Sequence, residues 1–357
     1  DLTTLHPNAR GFRRGFVGYP YAYLAPGQFD VAIRFDMENF GLNSTKFVEM
    51  GRASQTYVGF SGGFADGLWS CFVPMRATYG IQGGIRSKLP VDQNQLRPYH
   101  TSVMACIGED GWNNPTAEDL FENIVTIDFA KLDPDLRGFS GAVRVGRFAY
   151  LAPLATDVHL YHGKIVRLDL GDHFDVGTSL RNIYSSGQNV VSVVRVMDLS
   201  QRNPNLKGFS DIFVSGKYVY LVPFRNAYEP ATGQRGHGYL VRIDMNSFNM
   251  EGVIFIDVSS AQRAQIPSLA DTDLRGFIGG FPSGRYGVLV PFYNAVFSGK
   301  VARLRIFPPG DDLTSDVQEL DMTISHKLFE RDVYKGFRGG FVSLWKASSV
   351  GQDCGEF

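Results

Sequence analysis

The polar residues best able to do chemistry in this sequence recur at one place in a repeated phrase. Arg34, Arg167, Arg242 and Arg303 each lie inside a short apolar run, and three stand two residues before an acid: Arg34 before Asp36, Arg167 before Asp169, Arg242 before Asp244. Guanidinium forks match carboxylates and phosphates, so four such arginines could form a ring of anion contacts. A catalytic centre, however, combines different groups in different roles, whereas a residue repeated in every unit serves what every unit needs. The four arginines are therefore expected to pair with neighbouring acids and tie strands or repeats together.

Other reactive groups form no convincing constellation. His159 and His162 are three apart and His173 lies near Asp172 and Asp175, but in strands and turns this spacing does not converge on one ion, and no Cys-x-x-Cys exists. These histidines are expected at the surface, with no metal and no cofactor. Asp311, Asp312 and Asp316, and Asp271 with Asp273, lack the spacing of a calcium loop and read as solvated turns. No nucleophile elbow, phosphate loop or dinucleotide fingerprint occurs, so no catalytic residue is assigned. Cys71 lies in an apolar run and reads as a small core residue, which leaves Cys106 and Cys354, in irregular segments, as the pair that could bridge.

The elements that position these groups follow from composition and repetition. The 357 residues carry a net charge of -1, which supplies no footprint for nucleic acid or an anionic membrane surface. The longest apolar stretches fall far short of the ~18 residues that span a bilayer. With 40 Gly and 28 Phe the chain holds ten Gly-Phe dipeptides, against roughly three for random placement. Six of them, beginning at Gly11, Gly59, Gly138, Gly208, Gly276 and Gly336, open a recurring phrase. A Gly-basic-aromatic turn follows, as in Gly146-Arg147-Phe148, then a run ending in Pro, as in Tyr150-Leu151-Ala152-Pro153, then the Arg segment, then an apolar stretch ending in an acid. Each run is short, alternates apolar with polar or small residues, and is bounded by Gly, Pro, Asn or Asp, so each unit reads as four antiparallel strands. Four strands repeated about a centre is the design of an all-β β-propeller, with the Gly-rich first strand innermost.

Units are placed at 11–58, 59–137, 138–207, 208–275 and 276–335, forming one domain over residues 1–357. A partial unit at 336–357 is expected to close with 1–10, because residues 1–10 resemble the link at 198–207. Six blades are favoured over five, and a solenoid is the rival architecture.

The phrase Gly276-Phe277-Ile278-Gly279-Gly280-Phe281, followed by Gly284-Arg285-Tyr286 and Leu289-Val290-Pro291, resembles a propeller-type repeat found in tandem arrays in proteins of unicellular algae, other protists and some bacteria. The resemblance covers nearly the whole chain and implies architecture without an assigned reaction. Units one and two depart from it, with Gly18-Tyr19-Pro20-Tyr21 and Gly67-Leu68-Trp69 in place of the basic turn.

Function is sought where the repeat fails. Unit two carries an insertion at 92–123, placed between a third strand near 84–89 and a fourth near 124–128. It contains Tyr99, His100, Cys106, Glu109, Asp110, Trp112, Asn113, Asn114, Glu118 and Asp119, and Thr116 could cap a short helix there. Tyr99, His100, Trp112, Asn113, Glu118 and Asp119 are the expected partner-binding set, with the aromatics as exposed anchors. The expected function is a non-catalytic scaffold, a peripheral subunit docking onto other subunits of a larger protein assembly. A carbohydrate- or small-ligand-binding propeller is the alternative. A glycosidase ranks third, because Asp66 and Asp211 are the only acids near the innermost strands. Asn43-Ser44-Thr45 is a glycosylation sequon that matters only in a secreted chain. A first residue other than Met and few cysteines favour an organelle, plastid or mitochondrion.

Overall fold

Short alternating runs bounded by Gly and Pro pair as hairpins, and here they do so four at a time. The computed structural model describes residues 1–54, 57–65, 68–77, 99–115, 123–157, 159–171, 193–227, 236–259, 274–294, 296–306, 317–322, 335 and 337–338. Gly15–Gly18, Tyr21–Leu24, Val31–Asp36 and Thr45–Glu49 form the first antiparallel sheet. Phe60–Ala65, Trp69–Pro74, Val103–Gly108 and Ile124–Asp128 form the second, and Phe139–Val145, Phe148–Pro153, Lys164–Asp169 and Val194–Asp198 the third. Phe209–Ser215, Tyr218–Pro223, Tyr239–Asp244 and Val253–Asp257 make the fourth, and Phe277–Ser283, Tyr286–Pro291, Lys300–Arg305 and Gln318–Asp321 the fifth. First strands of consecutive sheets touch in series. The apolar cores lie between sheets: one joins Phe72 and Trp112 to Tyr23 and Val48, another joins Val73 and Met104 to Phe139 and Val166. The chain is an all-β propeller of four-stranded blades. Of the partial unit at 336–357 expected to complete a sixth blade, only Phe337 and Arg338 are described; the Arg338 guanidinium lies 4.9 Å over the Phe292 ring of the fifth unit.

The opening glycine of each unit is what links one blade to the next. Gly11, Gly59, Gly138, Gly208 and Gly276 have φ of 68°, 73°, 69°, 69° and 67°, a region L side chains rarely enter. In that conformation the Gly138 N–H donates to Thr101 O of the preceding unit at 2.9 Å. The Gly138 carbonyl accepts from Leu154 and Ala155 N–H at 3.1 and 3.0 Å within its own unit. Gly208 repeats the arrangement, with its N–H on His162 O and its carbonyl receiving Phe224 and Arg225. A Cβ at Gly138 would stand 1.8 Å from Ala155 O, and one at Gly208 1.5 Å from Arg225 O. Gly336 lies outside the described residues.

After each opening Phe in units two to five the register slips, between Phe60 and Gly63, Phe139 and Ala142, Phe209 and Asp211, Phe277 and Gly280. Such bulges re-aim the residues they contain. Here they set serines to stitch neighbouring blades, Ser61 Oγ donating to Ser140 O at 2.9 Å and Ser140 Oγ to Phe209 O at 2.8 Å.

The repeated arginines do not pair chiefly with the acids two residues on. Each stacks on the aromatic residue that begins the second strand: Arg34 over Tyr21 at 4.1 Å, Arg167 over Phe148 at 4.6 Å, Arg242 over Tyr218 at 4.5 Å and Arg303 over Tyr286 at 4.3 Å. The acid is taken instead by the basic residue of the Gly-basic turn, in a bidentate Arg147–Asp169 contact at 2.7 and 2.8 Å and a Lys217–Asp244 pair at 2.7 Å. Side chains alternate across a strand, so residues two apart share a face but reach different neighbours along it. In units two to four the acid closing the fourth strand caps the turn that follows: Asp128, Asp198 and Asp257 accept from the N–H two residues on, as Asp1 does from Thr3.

Of the histidines expected at the surface, His162 is interior, His159 is partly exposed and His173 lies outside the described residues. His162 is buried, as are His100 and His237 at the corresponding loops before the third strands. His162 and His237 pack edge-on against the opening Phe139 and Phe209, both at 5.6 Å. Nδ1 of His162 accepts from Lys164 N–H and that of His237 from Tyr239 N–H. Burial lowers all three imidazoles to a pKa of about 4.

Two predictions follow from this architecture. Gly208→Ala should lose about 3 kcal/mol of unfolding free energy through forced backbone displacement. Gly146→Ala, at φ 55° with open space about its Cβ position, should lose only about 1 kcal/mol; urea titrations of the two variants make the comparison. The histidines' folded pKa lies below the unfolded ~6.5, so the unfolded chain binds more protons between those values. Stability from their neutral burial is complete above pH 6.5 and is lost as pH falls from 6.5 toward 4. The urea midpoint should track that window, and a His162→Gln/His237→Gln double variant should show a shallower acid limb.

Candidate functional site

The seam between units one and two is where the repeat is most altered. Its centre is Arg34, buried to 2% exposure in the third strand of the first sheet. Its guanidinium lies between the Tyr21 ring and the Trp112 ring of the next unit, the latter at 5.4 Å, and donates to the Glu109 carboxylate. Trp112 Nε1 donates to Ser70 Oγ at 2.9 Å, and the Trp112 ring packs against Tyr23 and Phe72. Burial pushes the Tyr23 phenol up to about 12, with Arg34 opposing. The third seam uses the same device, Arg167 lying between Phe148 and Phe248 at 4.6 Å from each.

Several insertion residues stand elsewhere than expected. Val103–Gly108 is the third strand of the second sheet, so the long excursion precedes that strand instead of following it. Residues 84–89, read as that strand, lie outside the described residues, as do Thr116, Glu118 and Asp119. Tyr99–His100 pairs with Arg76–Ala77 as a small hairpin. Trp112, expected as an exposed anchor, is 1% exposed in the short helix Glu109–Asn113, because its indole is the plug that Arg34 requires. Asn113 is exposed and accepts from Lys46 Nζ, which pins the helix to the outer strand of unit one.

The cysteine assignment also changes. Cys71 is bonded to Cys106, and both are fully buried. Their strands pair Cys71 with Cys106 where the third sheet pairs Tyr150 with Arg167 and the fourth Tyr220 with Arg242. The disulfide therefore occupies the Tyr–Arg position in the described unit that has neither residue. Cys354 lies outside the described residues. The bridge closes a separation of 35 residues, which corresponds to about 4 kcal/mol of unfolded-state restriction. Reducing the native chain with dithiothreitol should lower its stability by roughly that amount in urea titrations, while a Cys71→Ala/Cys106→Ala variant should not respond to the reductant.

Unit one presents an apolar end. Its two hairpin turns expose Val17, Tyr19, Met37, Phe40 and Leu42, and Leu68 is exposed on the neighbouring turn of unit two; Phe40 is 79% and Tyr19 71% exposed. Units three and four carry the Arg147–Asp169 and Lys217–Asp244 ion pairs at this end. Tyr19 OH donates to Glu38, and Asp36 is held below the usual carboxylate range by the Asn39 and Glu38 N–H groups, so the rim is acidic.

On the axis, Arg14 of unit one reaches across to Asp211 of unit four, Nη1 to Oδ1 at 2.5 Å, passing Gly62 and Gly141. The one described acid among the innermost strands is thus neutralised and does not face a second carboxylate. Asp66 lies outside the described residues. A pocket of about 220 Å³ is lined by Asn205 of unit three and by Asn226, His237, Asp257 and Arg275 of unit four. Several of its polar groups are already engaged, Asp257 on Ser259 and Asn226 on Asn205 O. Among the described residues no three His, Cys, Asp or Glu side chains gather as a metal site, and no helix is long and apolar enough to cross a membrane.

No protein-family model matches the chain, and no curated protein matches its sequence. Among solved structures, hydrazine synthase of Kuenenia stuttgartiensis is similar over 85% of this chain and 63% of its own, at 12% identity and a TM-score of 0.46. Hsv2 of Kluyveromyces lactis is similar over 81% of this chain and 58% of its own, at 9% identity and 0.38. For virginiamycin B lyase of Staphylococcus aureus the shares are 87% and 84%, at 10% identity and 0.38. The chain spans less than two thirds of the first two. At these identities the likeness concerns the fold, and no activity is carried over from it.

Proposed function

We propose that this propeller is a non-catalytic scaffold that docks onto a larger protein assembly by the turn end of its first unit. The observation that carries this reading is the cluster of exposed Val17, Tyr19, Met37, Phe40 and Leu42 on two turns of one blade, with Leu68 beside it. A contiguous apolar patch on an otherwise water-facing ring favours burial against another protein. The equivalent turns of units three and four spend the same positions on ion pairs. Asp36 and Glu38 at the rim suit a partner with an apolar centre and basic residues around it.

The insertion belongs to the same surface. Asn113 is tied to Lys46, four residues beyond Leu42, so the exposed face of the short helix continues the patch. Tyr19 and Phe40 take the anchor role that sequence reasoning gives to Trp112, whose ring is occupied in the seam.

In extract from the native source, the tagged chain should migrate in a complex larger than itself on a sizing column. Phe40→Asp/Leu42→Asp should release it to its own mass. Leu160→Asp/Phe297→Asp, which alters exposed residues on the opposite end, should leave the complex intact. Equal retention of both variants would contradict docking by unit one.

A further inference from the structure

At the opposite end of the axis the described residues gather positive charge without a paired carboxylate. The residue after the opening Phe is Ser in units two to four, but it is Arg13 in unit one and Arg338 after Phe337. Two residues beyond the Pro that ends the second strand stand Arg76 in unit two, Arg225 in unit four and Tyr293 in unit five. Because first strands line the axis and the Pro-ended strands exit at their start, these side chains meet at one mouth.

Contacts run around that mouth. Arg13 Nη1 donates to Arg76 O at 2.7 Å. Arg225 lies 4.6 Å over Phe224 and 5.1 Å over Tyr293, Phe224 packs on Phe292, and Arg338 lies over Phe292. Tyr161 of unit three sits between Arg76 and Arg225, each of which favours its ionised form against burial. Arg13 is held below its ordinary value first by burial, then by Arg76 and Arg338, and Arg76 by burial. Four cations and four aromatic rings thus encircle the axis. One residue deeper, the Arg14–Asp211 pair crosses it and makes a floor.

None of Arg13, Arg76, Arg225 or Arg338 forms an ion pair with a described residue. Asp157 is the acid that acts on Arg76, from an exposed position, and His100 beside it is neutral. The Nε atoms of Arg76 and Arg225 are buried without a partner. Two other half-buried cations have counter-ions, Arg14 with Asp211 and Lys164 with Asp133. Gathering four guanidiniums with no ion pair among the described residues raises the energy of the fold through like-charge repulsion and unmet donors. A bound oxyanion relieves both, since each planar fork offers paired donors and the rings hold the forks in place.

We propose that this mouth binds a multiply charged small oxyanion, an organic phosphate or a polycarboxylate, through Arg13, Arg76, Arg225 and Arg338. The site is independent of the docking surface at the other end. Calorimetric titration of the full chain in low-salt buffer with pyrophosphate, and separately with citrate, tests it. At least one should bind with 1:1 stoichiometry, the tighter of the two showing whether phosphate or carboxylate geometry is preferred. Arg76→Gln/Arg225→Gln should weaken binding at least tenfold, and Arg338→Gln, which alters an exposed side chain and leaves the core untouched, should weaken it severalfold. Arg202→Gln, an exposed control, should not change it. No heat from either anion at millimolar concentration, equal weakening by Arg202→Gln, or full affinity in Arg338→Gln together with the double variant would each overturn the assignment.

Discussion

The structure depends on a backbone conformation that only glycine takes at low cost. Each described unit begins with a residue at φ near +70°; in units three to five its N–H faces the previous blade and its carbonyl faces the exit of its own second strand. In units three and four, both neighbours approach so closely that no side chain fits. Buried peptide groups must be paired, and here one residue type solves the pairing at every junction. The axis, the seams and the loop ends all inherit their positions from it.

Much of the fold was legible because the same solution is repeated. The Gly-Phe openings, the Pro-ended second strands and the Gly-basic hairpins each correspond to one physical requirement, and the third, fourth and fifth sheets contain all three in the expected order. What the sequence hid were contacts between units. Arg167 and Asp169 look like a pair on paper, yet the aromatic at position 148 is the arginine's neighbour and Arg147 is the acid's. The pairing Cys71–Cys106 becomes visible only when Cys71-Phe72-Val73-Pro74 is laid on Tyr150-Leu151-Ala152-Pro153 and the third strand is placed at 103–108. Putting that strand near 84–89 left Cys106 in a loop and Trp112 at the surface. The lone unit lacking Tyr and Arg at those positions was the available signal.

Asymmetry on this frame falls at opposite ends. Unit one gives up the turn ion pairs of units three and four and exposes apolar side chains, while its axial residues become Arg13 and Arg14 where units two to four have Ser, Gly or Asp. Arg14 takes a positive φ of 62° where Gly62 has the same value; a side chain there is costly and is repaid in part by the bond to Asp211. A residue held at such a position indicates that crossing the axis matters more than local backbone comfort. The two ends therefore differ in character, one apolar and the other cationic.

Hydrogen exchange at the glycine junctions tests the central claim most directly. If the opening glycines hold the blades together, the amides of Gly138, Gly208 and Gly276 should exchange only through global unfolding, at the same free energy as the central strands. Exchange of these three amides at loop-like rates while the strands remain protected would contradict it, showing that the blades stay assembled without the glycine junctions.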